Sequence, residues 1–352
     1  MRILFLNTDI DYAGATKIML WLAGRLSEIG HEVTFLTYRN AAESKSVPKG
    51  VKHTHLQIEL GGHTICGLLK SIIVLHGFIK KGSFDLGIAF LSPSQLRMSL
   101  ASIGTSMKLL FSQRGDPYQS KPSKSFFSRL SSFAFCRADK FVFQTEAAMA
   151  YYGQKIQDRS VVIPNPVTAI KRTQDRTPDN RIVNVARLDI RQKRQDLLIQ
   201  AFSMICPDYP EVSLHLFGSG ESEKDLRVLA NECDRIFFDG VTDDVTADIQ
   251  NARLFVLSSD FEGIPNALIE AMSLGVPCVS TRCSPGGAEL LIKDRVNGLL
   301  TPCGDATSLA HSIRVMLDDL AFAETCGREA MSIIKTFSED SVFNQWESFI
   351  SS

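Results

Sequence analysis

The sequence predicts an α/β protein built from two doubly wound parallel sheets. The chain has 352 residues, about twice the usual domain length of roughly 100 to 200 residues. Hydrophobic residues make up 44% of it and charged residues 22%, which is enough apolar material for substantial cores. Short β-branched runs alternate with amphipathic stretches, the pattern of repeated βα units. This pattern occurs twice, so we expect two domains.

Strand candidates are short apolar runs bounded by turn residues. In the first half they fall at 2–6, 32–37, 86–90, 108–112, 140–143 and 161–163, and in the second at 182–185, 212–217, 236–238, 254–257 and 277–280. The stretch 164–180 between the two sets is polar and contains three prolines, a composition that favours a linker. We therefore place the domain boundary after residue 168. Open parallel sheets bind ligands beyond the carboxyl ends of their strands, so we expect function in those loops.

Composition excludes several other classes of protein. The apolar run 64–79 is interrupted by Lys70 and His76 and falls short of the ~18 residues of a spanning helix. The apolar stretch 3–6 is too short for a signal-peptide core. Eight cysteines are scattered without a C-x-x-C pair, which predicts reduced thiols and no zinc site. We expect a cytoplasmic protein.

Charge is divided unevenly along the chain. Residues 1–168 hold 20 Lys and Arg against 11 Asp and Glu, whereas 169–352 hold 18 against 28. A basic half points to an anionic partner, which is a membrane surface, a nucleic acid or an acidic substrate. Nucleic acid is disfavoured because the sequence has no zinc module, RRM motif or interleaving of aromatic and basic residues.

The most informative segment follows the strand candidate at 254–257. A loop leads into an amphipathic helix that ends at Leu274, and Pro265 fits its first position while Gly275 fits the position just past its end. Two carboxylates bracket the helix start, Glu262 in the loop and Glu270 in the helix. An ionised carboxylate accepts hydrogen bonds from vicinal hydroxyls, as when an acidic residue binds ribose.

Backbone groups between the two carboxylates suit a phosphate. Gly263 lets the backbone approach a ligand closely, and the amides of Asn266, Ala267 and Leu268 lie at a helix start, where free N–H groups bind anions. A diphosphate flanked by hydroxylated groups would fit this segment.

The run 261–272 resembles the E-x7-E signature of retaining GT-B glycosyltransferases, the large family-4-like family of bacterial polysaccharide and lipid-linked oligosaccharide type. The resemblance implies a GT-B fold, in which two Rossmann-like domains face each other across a cleft. It implies that 1–168 binds the acceptor, that 169–336 binds the nucleotide sugar, and that a final helix within 337–352 crosses back to the first domain. It also places Ile264 among the donor-binding residues.

Other runs of the second half are similar to the same family. Arg187 after a strand, followed six residues later by Lys193, resembles its arginine and lysine. Cations at a predicted helix start conflict with the helix dipole, so we expect an anion there. Gly218 lies in a run that lacks the third glycine of a dinucleotide-binding fingerprint and resembles the family's glycine-rich loop beneath the nucleotide. Val241 lies in a run similar to the segment whose backbone contacts the base.

The first half is less similar. Gly14 stands where the family has its first glycine-rich loop, but many relatives have two adjacent glycines where this chain has Gly14 and Ala15. Arg114 and Asp116 follow a strand near the place where many relatives have a histidine beside the reacting centre. They are candidates for the acceptor side, and no chemical role is carried over to them.

Cations accompany apolar stretches in this half, namely Lys70, Lys80, Lys81, Lys121, Lys124 and Arg129 beside 64–78 and 126–135. Such a combination suits anionic lipid headgroups and predicts peripheral association with the inner face of the cytoplasmic membrane. The alternative is that these are the solvated faces of core helices.

The resemblance implies transfer, with retention, of a hexose or N-acetylhexosamine from a nucleotide diphosphate sugar to a hydroxyl of a glycan or lipid-linked acceptor in surface polysaccharide assembly, such as lipopolysaccharide or capsule. UDP is the expected nucleotide and GDP the alternative. Arg187 and Lys193 would neutralise the departing diphosphate, Glu262 would hold hydroxyls of the donor sugar, and Glu270 would bind the ribose. No metal or other cofactor is expected.

Three other functions stay open. A GT-B epimerase or sugar phosphorylase would share the fold but use a nucleotide sugar alone or inorganic phosphate. A non-catalytic protein that binds nucleotide sugars would share the donor site. A nicotinamide-dependent dehydrogenase is disfavoured, because no G-x-G-x-x-G follows the first strand.

Overall fold

The computed structural model of the chain describes residues 1–10, 14–38, 47–56, 65–119, 126–167, 177–231, 233–242 and 244–352. It divides into two compact units. The first comprises the described parts of Met1–Gly115, Ser120–Ile163 and Phe343–Ser352, and the second comprises Asp116–Gln119 and the described parts of Pro164–Val342. The boundary predicted after residue 168 thus differs from a division after Ile163, and the chain rejoins the first unit at Phe343, where the prediction had 337.

The first unit contains strands and helices in alternation. Its strands are β1 (Arg2–Asn7), β2 (Glu32–Thr37), β3 (Lys52–His55), β4 (Leu86–Ala89), β5 (Lys108–Ser112), β6 (Lys140–Phe143) and β7 (Ser160–Val162). Its helices are α1 (Gly14–Glu28), α2 (Ile65–Gly82), α3 (Ser92–Ala101), α4 (Phe126–Cys136), α5 (Glu146–Ala150) and α6 (Gln154–Gln157). The described strands form one parallel sheet in the order β3-β2-β1-β4-β5-β6-β7.

The second unit repeats this plan. Its strands are β8 (Arg181–Val185), β9 (Ser213–Phe217), β10 (Ile236–Gly240), β11 (Leu254–Leu257), β12 (Cys278–Thr281) and β13 (Leu299–Thr301). Its helices are α7 (Gln195–Ile205), α8 (Glu223–Ala230), α9 (Val245–Ile249), α10 (Asn266–Ser273), α11 (Gly287–Leu291), α12 (Ala306–Asp318), α13 (Leu320–Ala330) and α14 (Ile333–Thr336). The last helix, α15 (Glu339–Ser351), begins here and ends in the first unit. The sheet order is β10-β9-β8-β11-β12-β13, again parallel throughout.

Helices cover both faces of the second sheet. Because successive side chains of a strand point to opposite faces, Ile182 packs with α7 and α12 in one core while Val183 packs with α10 in another. In strand β11, likewise, Val256 packs in the same core as Ile182, and Phe255 packs in the same core as Val183. Strands buried on both faces are hydrophobic at most positions, which is why these short apolar runs were predictable.

The strand predictions are confirmed at all eleven candidates, with ends that differ by at most two residues. Two strands escaped prediction. β3 has the sequence Lys-His-Thr-His, is largely exposed and lies at a sheet edge, so it carries no apolar signal. β13 has only three residues.

Some sequence predictions concern residues outside the described ranges. These are residues 11–13 before Gly14, the linker residues 168–176, Lys121, Lys124 and Asp243.

Candidate active site

The candidate site lies where the strand order of the second sheet reverses. Strands β9 and β11 flank β8, so the connections from β8 and from β11 leave the sheet in opposite directions. The loop 186–194 after β8 and the loop 258–265 after β11 therefore lie next to each other at the carboxyl edge. Open α/β sheets bind ligands at such a switch point.

An ion pair joins the two loops. The Lys193 ammonium donates to Oε1 of Glu262. The side chains are 18% and 9% exposed, so water screens the pair only partly. The Ser259 hydroxyl donates to the same carboxylate oxygen at 2.8 Å, and the Ser258 hydroxyl donates to the carbonyl of Lys193 at 2.8 Å. The sequence analysis gave Lys193 and Glu262 separate contacts with the donor. In the structure the two side chains also contact each other, so they form one preorganised ion pair.

Backbone contacts hold both partners in place. The Asp260 amide donates to the Gln192 carbonyl at 2.9 Å, and the Gln192 side-chain amide donates to the Phe261 carbonyl at 3.1 Å. The Glu262 amide donates to the Ser284 carbonyl at 2.7 Å. Three loops of the carboxyl edge are therefore connected, and the position of the Glu262 carboxylate is determined by the sheet.

Arg187 lies on the open side of the same loop. Its Nη2 donates to Asp189 at 2.9 Å and to Gln192 at 3.2 Å, and its side chain is 63% exposed. Below it, the fully buried Gln195 donates its side-chain amide to the Arg187 carbonyl at 2.9 Å. The guanidinium is oriented by its neighbours and still accessible to an anion.

The anion expected at the start of α7 is partly supplied by the chain itself. Arg194, in left-handed backbone conformation with φ 52°, caps the helix and pairs with Asp196 at 3.1 Å and Asp260 at 2.9 Å. Hydrogen bonds to these two carboxylates raise the pKa of Arg194. Together with the pairing of Lys193 by Glu262, these contacts show that carboxylates of the chain already balance part of the positive charge at this helix start.

Glycines allow the loops of this edge to approach one another. A Cβ on Gly218 would lie 2.0 Å from the Ala186 carbonyl oxygen, and φ is +131°. A Cβ on Gly287 would lie 2.0 Å from the Gly263 carbonyl oxygen. The close approach of the two backbones therefore requires a glycine at position 218. The place beneath the nucleotide that the resemblance implies for Gly218 stays a prediction.

Helix α10 begins one residue later than predicted. Pro265 is its N-cap, with φ −75° and ψ 103°, and the first helical residue is Asn266. The Leu268 amide donates to the Pro265 carbonyl at 3.1 Å, so Leu268 is not one of the free amides of the predicted phosphate cradle. Asn266 accepts a hydrogen bond from Asn165 at 2.8 Å through its side chain.

The remaining predicted donor-site residues differ in environment. Ile264 is buried in the core beneath the loop. Gly263, Ala267 and Glu270 are half-buried, and Val241, just past β10, is 73% exposed.

In the first unit, Arg114 is half-buried and stacks on Phe90 at 4.3 Å and on Trp346 of α15 at 5.5 Å. Burial lowers the pKa of the Arg114 guanidinium to about 9, so it still carries its charge at neutral pH. Asp116 is buried, accepts from the Tyr118 amide at 2.9 Å and groups with the second unit. Gly14 is exposed and begins α1.

Several residues of the site were missed by sequence reasoning. Ser259 and Asp260 lie three and two residues before Glu262, and their polar character after a buried strand is the signal that could have found them. Gln192 and Gln195 had no such signal, because an amide is as common on a solvated surface as in a buried network.

Among the described residues, no group of three His, Cys, Asp or Glu side chains is arranged to hold a metal ion. Cys283 is buried near Glu262, and burial together with that negative charge raises the pKa of its thiol to about 12.

Comparisons with known proteins agree with this fold. Residues 179–319 match the family model described as glycosyl transferases group 1. This range includes the loops with Arg187, Lys193 and Glu262, and helix α10 with Glu270. The structure of Anabaena HepE in complex with UDP-glucose superposes with a TM-score of 0.79 at 22% identity, covering 100% of this chain and 99% of that one. The fold is therefore that of the GT-B class, and the second unit contains the region that matches the group 1 glycosyl transferases.

Two relatives illustrate that class. The chain is 25% identical over 354 residues, 98% of this chain and 97% of the relative, to a Campylobacter jejuni α-1,4-N-acetyl-D-galactosaminyltransferase whose name specifies a diNAcBac-PP-undecaprenol-linked acceptor. It is 32% identical to the lipopolysaccharide 1,6-galactosyltransferase of Salmonella typhimurium, over 48% of this chain and 49% of that protein.

Proposed function

We propose that the protein transfers, with retention and without a metal ion, a hexose or N-acetylhexosamine from a UDP-sugar to a hydroxyl of a glycan or lipid-linked acceptor in surface polysaccharide assembly. The observation that carries this proposal is the preorganised Lys193–Glu262 pair beside Arg187 at the switch point of the second sheet. The names of the Campylobacter and Salmonella relatives support the acceptor class, and the UDP-glucose bound to Anabaena HepE supports the nucleotide.

The two cations suit a diphosphate leaving group. An ammonium has three N–H donors, and Lys193 uses one for Glu262, so the others are available to phosphate oxygens without breaking the pair. Arg187 adds a fork of donors on the exposed side. As the bond to the sugar breaks, negative charge grows on the diphosphate, and fixed cations stabilise that charge most in the transition state.

Glu262 and Glu270 have separate roles in this proposal. Glu262 holds hydroxyls of the donor sugar and stabilises positive charge that develops on the sugar ring, while Glu270, further along α10, binds the ribose. In the proposed reaction the acceptor oxygen attacks the anomeric carbon on the face from which the diphosphate departs. A phosphate oxygen of the leaving group takes the acceptor proton, so the new glycosidic bond forms as the sugar–phosphate bond breaks.

A thermal-shift titration tests the donor site, because a ligand that binds only the native state raises Tm by mass action. UDP, GDP and ADP are compared, with and without EDTA. We expect a shift with UDP that EDTA leaves unchanged and that Lys193→Ala abolishes, while the exposed Lys335→Ala on α14 retains it. No shift with any nucleotide at millimolar concentration would overturn the donor site, and a shift lost in EDTA would overturn metal independence.

Transfer itself is tested with radiolabelled UDP-sugars and membrane extracts as acceptor. Glu262→Gln preserves shape and removes charge, and we expect it to lower the rate by at least ~100-fold. The exposed Glu324→Gln on α13 serves as the matched control. Near-normal transfer by a folded Glu262→Gln protein would refute the catalytic role of Glu262.

A further inference from the structure

Helix α2 of the first unit is apolar on its outer face as well as on its inner face. Leu68, Leu75 and Ile79 are buried in the unit. On the opposite side, Ile73 is 70% exposed and Ile65, Leu69 and Val74 are between 45% and 56% exposed. A surface helix ordinarily has polar residues on its outer face, so this arrangement requires a partner or a function.

The outer apolar face continues on α4. Helices α2, α3 and α4 pack together through Leu68, Leu96 and Ala134. On α4, Phe133 is 60% exposed. We call the exposed side chains of α2 and α4, with the cations among them, the outer face of the first unit.

The charges on this face all have one sign. Neither α2 nor α4 contains an acidic residue, and residues 60–138 hold ten Lys and Arg against two Asp and Glu. With 100° per residue, Lys80 lies in line with Ile73, and Lys81 in line with Lys70 and Val74. The lysines therefore lie among the apolar side chains, and their ammonium groups are exposed.

We infer that the outer face of α2, extended by α4, docks the protein on an anionic phospholipid bilayer. An interfacial helix inserts apolar side chains at the headgroup boundary while its lysines pair with lipid phosphates. Charge complementarity selects this occupant, because a protein partner or a second copy of this chain would have to supply an acidic surface against Lys70, Lys80 and Lys81. No helix in the described part of the chain is long and apolar enough to cross a membrane, so α2 lies on the bilayer.

This inference deepens the proposed function and rests on it only for the lipid-linked acceptor. Docking would hold the enzyme at the surface where that acceptor resides. Vesicle binding itself is independent of glycosyl transfer, so the two can fail separately.

The test is cosedimentation of the full chain with vesicles of phosphatidylcholine alone or mixed equally with phosphatidylglycerol. Wild type should sediment with the anionic vesicles. Lys70→Gln/Lys80→Gln/Lys81→Gln should weaken binding by on the order of fivefold per lysine, which is roughly 100-fold in total. Leu69→Gln/Ile73→Gln should weaken it roughly tenfold.

Matched controls come from exposed residues of the second unit and from α6. Val228→Gln/Leu320→Gln removes two exposed apolar side chains, and Lys155→Gln/Lys293→Gln/Lys335→Gln removes three exposed lysines. We expect the two test variants and the two control variants to keep the wild-type Tm and the UDP-induced rise in Tm. This result would show that all four proteins are folded.

Three results would overturn the inference. They are no sedimentation with anionic vesicles, equal binding to both vesicle types, or equal losses in control and test variants. Self-association of the wild type by analytical ultracentrifugation that Leu69→Gln/Ile73→Gln abolishes would assign the face to a second copy instead. If UDP does not raise the Tm of the wild-type protein while vesicle binding is intact, the proposed function is refuted and the docking surface is not.

Discussion

The Lys193–Glu262 pair should contribute measurably to stability as well as to ligand binding. Exposed ion pairs contribute about 0–1 kcal/mol, whereas removing one partner of a fully buried pair costs about 3–5 kcal/mol. The two side chains are 18% and 9% exposed, so we place each single substitution, Lys193→Met or Glu262→Gln, between these limits at about 2 kcal/mol of unfolding free energy.

The two substitutions should not be additive. Once one charge is gone, the other has lost its partner, and removing it as well relieves a buried charge. We therefore expect a coupling free energy of about 1–2 kcal/mol in a double-mutant cycle. Glu262→Gln also weakens the hydrogen bond from Ser259 to the same oxygen, because the acceptor loses its charge. This effect arises with either residue at position 193 and therefore cancels in the cycle.

The assay is urea unfolding followed by circular dichroism, because urea is uncharged and leaves the ion pair unscreened. The control cycle is Arg227→Met and Glu223→Gln, a pair one turn apart on α8 whose side chains are 54% and 35% exposed. We expect a coupling free energy of no more than about 0.5 kcal/mol for that pair, and we expect high salt to abolish it. Equal coupling in the two cycles, or equal sensitivity to salt, would refute the partly buried character of the Lys193–Glu262 pair.

Three further predictions follow from the packing. Gly218→Ala places a Cβ against a backbone carbonyl at positive φ and should lower the unfolding free energy by about 1–3 kcal/mol. Gly153→Ala, where a Cβ meets open space, should leave Tm nearly unchanged. Equal Tm values for the two variants would contradict this prediction. At pH 8 the Cys283 thiol, whose pKa burial raises to about 12, should stay unlabelled by iodoacetamide while the exposed Cys66 reacts, and mass spectrometry of the native protein showing comparable labelling would contradict it. Trp346→Ala removes a fully buried side chain from the core of the first unit and should cost about 3–5 kcal/mol in urea unfolding, so a loss below about 1 kcal/mol would show that α15 is not anchored there.

Much of the fold could be predicted from local sequence. Strands such as β11 and β1 are apolar at nearly every position because both sheet faces are covered by helices, and each is followed by turn residues. Strand β3 could not be predicted, since its side chains are polar and only pairing with β2 makes it a strand.

The candidate site was only partly predictable. Glu262, Glu270, Arg187 and Lys193 stand at recognisable spacings after two strands, and the sequence alone marked them as ligand-binding candidates. It also indicated the alternation of strands and helices, the two parallel sheets and the apolar, basic character of α2.

Tertiary structure decided which of these residues meet. Lys193 and Glu262 are 69 residues apart, and they form a pair because β8 and β11 are neighbours at a point where the sheet order reverses. The exposure of Ile73 was likewise undetermined by its sequence, since an apolar helix can bury either face. Pairing and burial depend on contacts between segments distant along the chain, whereas strand and helix formation depends on residues close together.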